Sequence, residues 1–142
     1  QASLIAKWMN IGFIHGVMNT DNMSISGETI DYGPCAFMDS YLSSRVFSSI
    51  DTGGRYAFKN QPFVGQWNIA RLAETLLPLI DEDLEKAISK ATEVVEKFIV
   101  SYDKYWLDGM RRKLGINNKL SEDHSLATEF LEILETNKLD FT

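Results

Sequence analysis

The sequence predicts a mainly α-helical chain with one small β-hairpin. Apolar residues recur at helical spacing near the start of the chain and again through its second half. A short segment centred on Ser26-Gly27 has the composition of a hairpin, and three of the nine glycines lie in the loop-like stretch that follows it. A chain of 142 residues can bury one core, so we expect one domain or part of one.

The first half of the chain divides into four segments. Residues 2–14 are predicted to form a helix, residues 15–22 a loop, and residues 23–31 a short hairpin. Residues 32–61 are rich in Gly, Ser, Asn and Asp and are predicted to form a long structured loop. The apolar residues that share one face of the first helix are Leu4, Ile5, Trp8 and Ile11. Polar residues concentrate at the hairpin, which would be marginal by itself and is therefore a candidate for function.

Residues 62–142 form a predicted helical block. It opens with a helix from Pro62, continues with a long amphipathic helix over residues 82–113, and closes with a helix that ends near Glu135. The predicted stops and caps are Pro78 after the first of these helices, Gly115 after the second and Ser121 before the third.

Composition excludes several classes of function. The net charge is −6, and basic residues cluster only at Arg111, Arg112 and Lys113, so we expect no nucleic-acid partner. No apolar run is long enough to span a bilayer, so we expect no membrane partner. A single cysteine, Cys35, cannot form an internal disulfide, which favours a reducing compartment.

The two ends of the chain do not look like domain boundaries. The chain starts inside a helical pattern without an initiator Met, and it stops at KLDFT without a helix cap or tail. We therefore expect residues 1–142 to be one region of a longer protein.

The hairpin brings two candidate metal ligands together. With a two-residue turn at Ser26-Gly27, Met23 faces Ile30 and Asn22 faces Asp31. Opposed residues have Cβ atoms about 5 Å apart on one side of the ribbon. An amide oxygen and a carboxylate at that separation suit Mg²⁺, which usually takes only one or two protein ligands together with phosphates. The alternative is that both residues only terminate strands and cap turns.

The surrounding spacing resembles the protein kinase signature, in which H-R-D-x-x-x-x-N is followed by a hairpin and D-F-G. His15-Gly16-Val17 stands in place of His-Arg-Asp, Asn22 follows Val17 by five residues, and Asp31-Tyr32-Gly33 replaces D-F-G. Val17 cannot accept a proton, but a carboxylate, Asp21, lies next to Asn22. These residues predict the C-terminal lobe of a protein kinase-like fold that has both metal ligands and a displaced candidate base.

Two blocks of sequence identify a family resemblance. HGVMNTDNMSISGETIDYGPCAFMD and GRYAFKNQPFVGQWNIARLAETLLPL closely resemble the selenoprotein O family, also called the YdiU family. The resemblance continues more loosely through MRRKLGI and SEDHSLATEFLEIL. It implies a kinase-like domain that transfers AMP, and not phosphate, from ATP to Ser, Thr or Tyr hydroxyl groups of proteins.

The resemblance also implies roles for three residues. Asp21 matches the proton acceptor of the family, and Asn22 and Asp31 match its metal ligands, with Asp31 also near the nucleotide phosphates. We expect Mg²⁺ or Mn²⁺ as the metal, ATP as the nucleotide, and a cytoplasmic location in a bacterium or a mitochondrial one in a eukaryote. The protein substrates, the choice between the two metals and the choice between AMP and UMP stay open.

The N-lobe nucleotide cradle and the C-terminal redox segment of the family are expected to lie outside these 142 residues, so we expect the isolated chain to be inactive. Two other functions remain as alternatives: γ-phosphoryl transfer, which the apolar Val17 disfavours, and a non-catalytic pseudokinase scaffold, which would not need Asp21, Asn22 and Asp31.

Three further residues receive structural interpretations. His15 is expected to bond the backbone near the Asp31 turn. Trp67 is expected to lie in the core, and Arg71 to bond the loop region.

Overall fold

The computed structural model describes residues 1–141 and shows four helices and one small antiparallel sheet among them. The predicted mainly α class is confirmed. In chain order the elements are α1 (Ala2–Ile11), β1 (Phe13–Ile14), β2 (Ala36–Phe37), α2 (Gln61–Ile80), α3 (Leu84–Leu114) and α4 (Asp123–Asn137). Two 3-10 turns, Thr20–Asn22 and Phe58–Asn60, lie in the loops between them.

α1 ends three residues earlier than predicted because of Gly12. This residue adopts a left-handed backbone with φ 72° and donates its N–H to the carbonyl of Trp8. A side chain there would also overlap with the Phe141 ring, since an added Cβ would lie 2.7 Å from Phe141 Cδ1. The next two residues then form β1, which pairs with β2 in the register Phe13 with Phe37 and Ile14 with Ala36.

The helical block follows the predicted pattern with small shifts at its ends. α2 has Pro62 in its first turn, as predicted, but runs through Pro78 to Ile80. α3 starts at the N-cap Asp83, whose carboxylate accepts the N–H groups of Glu85 and Lys86, and it ends at Gly115 with φ 70°, as predicted.

The start of α4 differs from the prediction. Its N-cap is Glu122 and not Ser121, and the helix runs to Asn137. The Asp123 carboxylate is buried and binds Arg111 Nε at 2.6 Å and the Leu120 N–H at 3.0 Å. This ion pair fixes the start of α4 against the end of α3.

α3 is the central element of the fold. It packs along α1 on one side and α2 on another, and α4 covers its C-terminal part. The core that these helices enclose extends to the segment after β2 and to Phe141. Its most buried large side chains are Ile5, Ile14, Met18, Met38, Phe58 and Met110. No helix among residues 1–141 combines the length and apolar character needed to cross a membrane.

Candidate active site

The candidate site is built on the loop after β1 and on the hairpin that follows it. The hairpin is present, but its predicted register is wrong by one residue. Met23 pairs with Thr29 and not with Ile30, and Ser24 donates its N–H to the Glu28 carbonyl at 3.1 Å. The turn therefore contains three residues, Ile25 to Gly27, with Gly27 at φ 84°.

Asn22 and Asp31 nevertheless meet. Asn22 Nδ2 lies 3.3 Å from Asp31 Oδ2. In the observed register Asn22 is level with Ile30, whose N–H bonds the Asn22 carbonyl at 3.1 Å. Asp31 has a left-handed backbone with φ 62°, which takes it out of strand alternation and directs its carboxylate back to Asn22. Asp is one of the few residue types besides Gly that adopt this conformation readily.

The orientation of the Asn22 amide suits a metal ligand. Its Nδ2 donates to the Val17 carbonyl at 2.8 Å as well as to Asp31. Both hydrogen bonds use the nitrogen, so the oxygen Oδ1 is the atom left for a cation. Asn22 is only 7% exposed, whereas the carboxylate of Asp31 is exposed.

The described residues offer a small, hard donor set. Among residues 1–141 no three His, Cys, Asp or Glu side chains converge to form a metal cage. An amide oxygen and one carboxylate fit a hexacoordinate Mg²⁺ or Mn²⁺ that takes its remaining ligands from phosphates and water.

Asp21 lies next to Asn22 in the 3-10 turn Thr20–Asn22, and its side chain is exposed. It is thus accessible to an incoming hydroxyl group, as a general base must be. Val17, at the usual kinase base position, contributes its backbone carbonyl to Asn22 and has no side-chain acceptor.

His15 connects the two halves of the site and is fully buried. Its Nε2 lies 2.9 Å from the Ile30 carbonyl and 2.8 Å from Thr29 Oγ1, while Nδ1 accepts the Val17 N–H at 3.3 Å. A carbonyl only accepts, so Nε2 carries the proton and Nδ1 does not. The predicted contact between His15 and the backbone at the Asp31 turn is confirmed.

Burial lowers the pKa of His15 below its ordinary value, against the opposing effect of its hydrogen bond to Ile30 and of the Asp31 charge. The neutral imidazole is therefore the form that supports the loop.

Three supporting residues were not recognised from the sequence. Thr29 Oγ1 donates to the Asn22 carbonyl at 2.7 Å while it contacts His15. Gln61, fully buried at the start of α2, accepts the His15 N–H at 2.9 Å and donates to the Phe13 carbonyl at 3.0 Å. Gly16 allows close packing, since an added Cβ would lie 2.9 Å from the Pro34 carbonyl oxygen. Of the three, only Gln61 could have been noticed in the sequence, as a polar residue directly before the proline that opens α2.

The expectations for Trp67 and Arg71 are wrong. Trp67 is 43% exposed, and the guanidinium carbons of Arg55 and Arg71 lie 4.7 and 5.2 Å from the centroid of its ring. Arg71 forms an ion pair with Glu74 on its own helix and does not bond the loop. The two guanidinium groups keep this tryptophan at the surface.

Comparisons with known proteins place the chain in a family. A family model described as protein adenylyltransferase SelO matches residues 1–142. Curated proteins named protein nucleotidyltransferase YdiU from Anoxybacillus flavithermus and Alkaliphilus metalliredigens are each 61% identical to the chain over 142 residues, and one from Geobacillus kaustophilus is 57% identical. The whole chain is covered in each case, but it spans only 29–30% of the length of these relatives. Because the match extends over every residue of the sequence, the chain belongs to the SelO family.

Proposed function

We propose that the protein to which this chain belongs transfers AMP from ATP to Ser, Thr or Tyr hydroxyl groups of other proteins, and that residues 1–142 form the C-terminal lobe of its kinase-like domain. The observation that carries this proposal is the contact between Asn22 Nδ2 and Asp31 Oδ2 at 3.3 Å, beside the exposed Asp21. It brings two oxygen ligands and a candidate base into one loop-hairpin unit.

Asn22 Oδ1 and the Asp31 carboxylate are the proposed ligands of Mg²⁺ or Mn²⁺. The metal, when bound, neutralises negative charge on the phosphates of ATP. The chain contributes the orientation of the ligands: the Val17 carbonyl fixes the Asn22 amide, and the left-handed backbone of Asp31 brings its carboxylate next to that amide. His15 and Thr29 hold the two strands that carry these ligands.

Asp21 is the proposed general base. Its carboxylate accepts the proton of the acceptor hydroxyl while that oxygen bonds to the α-phosphorus of ATP. The bond from the α-phosphorus to the oxygen that bridges the β-phosphorus breaks, and pyrophosphate leaves. The products are the AMP-modified side chain and pyrophosphate. A base of this kind typically contributes about 10²- to 10⁴-fold in rate.

The decisive experiment uses the full-length protein and ATP labelled separately at the α and γ phosphates. Label retained on acceptor proteins from the α position supports AMP transfer. Label retained from the γ position would show an ordinary kinase, and no retained label in either case would show a scaffold. Val17→Asp should not rescue Asp21→Ala if the nucleotide is flipped, because the reacting phosphate would then not lie over the usual kinase base position.

The nucleotide is a separate question, because the relatives are named nucleotidyltransferases while the family description specifies adenylyl transfer. We propose AMP as the transferred group. Equal concentrations of ATP and UTP, each labelled at the α phosphate, should yield mainly AMP-modified protein in the presence of Mg²⁺ or Mn²⁺. A predominance of UMP would overturn this part of the proposal.

The isolated chain is expected to bind ATP weakly. It spans about 30% of the length of its relatives, and its described residues bring together only Asn22 and Asp31 as ligands for a metal–phosphate complex. Calorimetry on residues 1–142 should detect no binding in the micromolar range, and a micromolar dissociation constant would contradict this expectation.

A further inference from the structure

We propose that the guanidinium group of Arg55, stacked on Trp67, is a docking site for a carboxylate-bearing segment of the acceptor protein. This inference rests on the proposed function, because it assigns the substrate class of the same site. The observation behind it is an exposed arginine that contacts two aromatic rings. One of these rings, Tyr56, is hydrogen-bonded to the loop that carries Asp21.

The stack is preorganised. The Arg55 guanidinium carbon lies 4.7 Å from the centroid of the Trp67 ring and 5.7 Å from that of Tyr56. A cation–π contact with the rings uses no N–H donor of the guanidinium, so within the described residues these donors are left available to a carboxylate. Because the rings already restrict its rotamers, Arg55 loses little conformational freedom when it binds a partner.

Arg55 also has no acidic partner in the part of the chain that the structure describes. Within the described residues, no carboxylate lies within ion-pair distance of its guanidinium, whereas Arg71, on the same Trp67 ring, is paired with Glu74. Asp51, in the same loop, is occupied by the backbone: it accepts the N–H of Arg55 at 2.8 Å and of Tyr56 at 2.9 Å. This contact orders the loop and leaves the guanidinium charge for an external ligand.

Two hydrogen bonds connect the stack to the catalytic loop. The Tyr56 hydroxyl donates to Asn19 Oδ1, two residues before Asp21. Asn68, which follows Trp67 in α2, donates from Nδ2 to the Met18 carbonyl at 2.9 Å. The segment that carries Asp21 is thereby tied to Tyr56, whose ring centroid lies 5.7 Å from the Arg55 guanidinium carbon, so we expect a peptide whose hydroxyl reaches Asp21 to come within reach of Arg55.

The local charge of Arg55 determines which partner fits this position. The sequence carries a net charge of −6, so attraction of an acidic segment has to come from Arg55 itself and not from the chain as a whole. Its guanidinium would attract a carboxylate and orient the neighbouring hydroxyl. This position therefore favours acceptor sites flanked by Glu or Asp over sites flanked by neutral or basic residues.

The test measures binding to the full-length protein separately from catalysis. The probes are two fluorescent synthetic peptides: one has a central Ser flanked by glutamates, and the other has glutamine at each glutamate position. Wild-type protein should bind the Glu peptide more tightly, with a preference that shrinks at higher ionic strength. Arg55→Ala should lower the affinity for the Glu peptide about tenfold and leave the affinity for the Gln peptide unchanged. Arg55→Lys should be intermediate, because it keeps the charge but not the planar stack.

The matched control is Arg112→Ala, which removes the same charge from an exposed position near the end of α3. It should leave both peptides unaffected. Equal binding of the two peptides by wild-type protein, or equal effects of Arg55→Ala and Arg112→Ala on the Glu peptide, would overturn the docking site.

Failure of the two proposals can be distinguished. If wild-type protein transfers α-phosphate label to proteins but shows no Glu preference, only the docking site is refuted. If the Glu preference depends on Arg55 but no α label is transferred, the docking site stands and AMP transfer is refuted.

Discussion

Asp31 combines an unusual backbone with the carboxylate proposed as a metal ligand, and three substitutions separate these two properties. Its φ of 62° costs an ordinary L-residue about 1–2 kcal/mol, costs Asn much less, and costs Gly nothing. Asp31→Gly and Asp31→Ala both remove the hydrogen bond to Asn22, so they differ mainly in this backbone cost. We expect the hairpin of the Gly variant to be about 1–2 kcal/mol more stable than that of the Ala variant.

The measurement is amide hydrogen exchange in the full-length protein. The Ile30 N–H is bonded to the Asn22 carbonyl at 3.1 Å, directly before Asp31, so its exchange reports the local opening of the hairpin. A difference of 1–2 kcal/mol corresponds to an exchange rate about 5- to 30-fold slower in the Gly variant. Faster exchange in Asp31→Gly than in Asp31→Ala would refute the argument from the left-handed backbone.

Metal-dependent ATP binding should follow a different order. Asp31→Asn keeps a residue that tolerates the left-handed backbone and a polar contact to Asn22, but it removes the negative charge. We expect it to bind ATP with Mg²⁺ more weakly than the wild type, and Asp31→Gly and Asp31→Ala to bind weakly whatever their stability. Calorimetric titration that found wild-type affinity in Asp31→Asn would show that the carboxylate charge does not hold the metal.

Three other outcomes test the site and the fold. Asp21→Ala in the full-length protein should lower AMP incorporation about 10²- to 10⁴-fold and leave ATP affinity largely intact, and near-normal activity would remove Asp21 from the mechanism. Gly65→Ala should lower the free energy of unfolding in urea by about 1–3 kcal/mol, because an added Cβ would overlap with Ile5 Cδ1. The control Gly53→Ala should not lower it, because a Cβ at Gly53 meets no atom within 4 Å. Stability should fall as the pH drops below about 6.5, the ordinary pKa of a histidine, because burial lowers the pKa of His15 and the unfolded chain then binds a proton that the folded chain does not. The slope should be at most about 1.4 kcal/mol per pH unit. His15→Gln should reduce this slope, and an unchanged slope would assign the pH dependence to other groups.

Sequence reasoning succeeded where local signals act alone. The end of α3 at Gly115 and the position of Pro62 in the first turn of α2 follow from backbone preferences that do not depend on distant contacts. The mainly α class followed from the helical spacing of apolar residues, and in the structure these residues pack in the core around α3.

The candidate site was only partly predictable. The spacing of Asn22 and Asp31 predicted that their side chains meet, and they do, but through a different geometry. A two-residue turn at Ser26-Gly27 was assumed, whereas the actual turn includes Ile25 and shifts the register by one residue. That shift alone would place the two side chains on opposite faces, and the left-handed backbone at Asp31 reverses its effect.

Long-range contacts account for what the sequence did not reveal. β1 and β2 have two residues each, too few for a periodic signal, and they pair across a loop of more than twenty residues. The burial of Gln61 and the exposure of Trp67 depend on His15 and Arg55, which are distant along the chain. Such pairings become visible only when the segments are brought together.

The contact between Gly12 and Phe141 has a consequence for biosynthesis. Phe141 packs against Gly12, directly before β1, and its N–H bonds the carbonyl of Asp39, two residues after β2, at 2.8 Å. These two residues lie about 130 positions apart, which a ribosome covers in roughly 6–26 s at typical rates of synthesis. During that interval the strand that leads into His15 has been made but lacks one of its packing partners. A nascent chain of this protein thus carries an incompletely packed candidate-site loop until the segment after α4 emerges, and it exposes apolar surface to chaperones for that time.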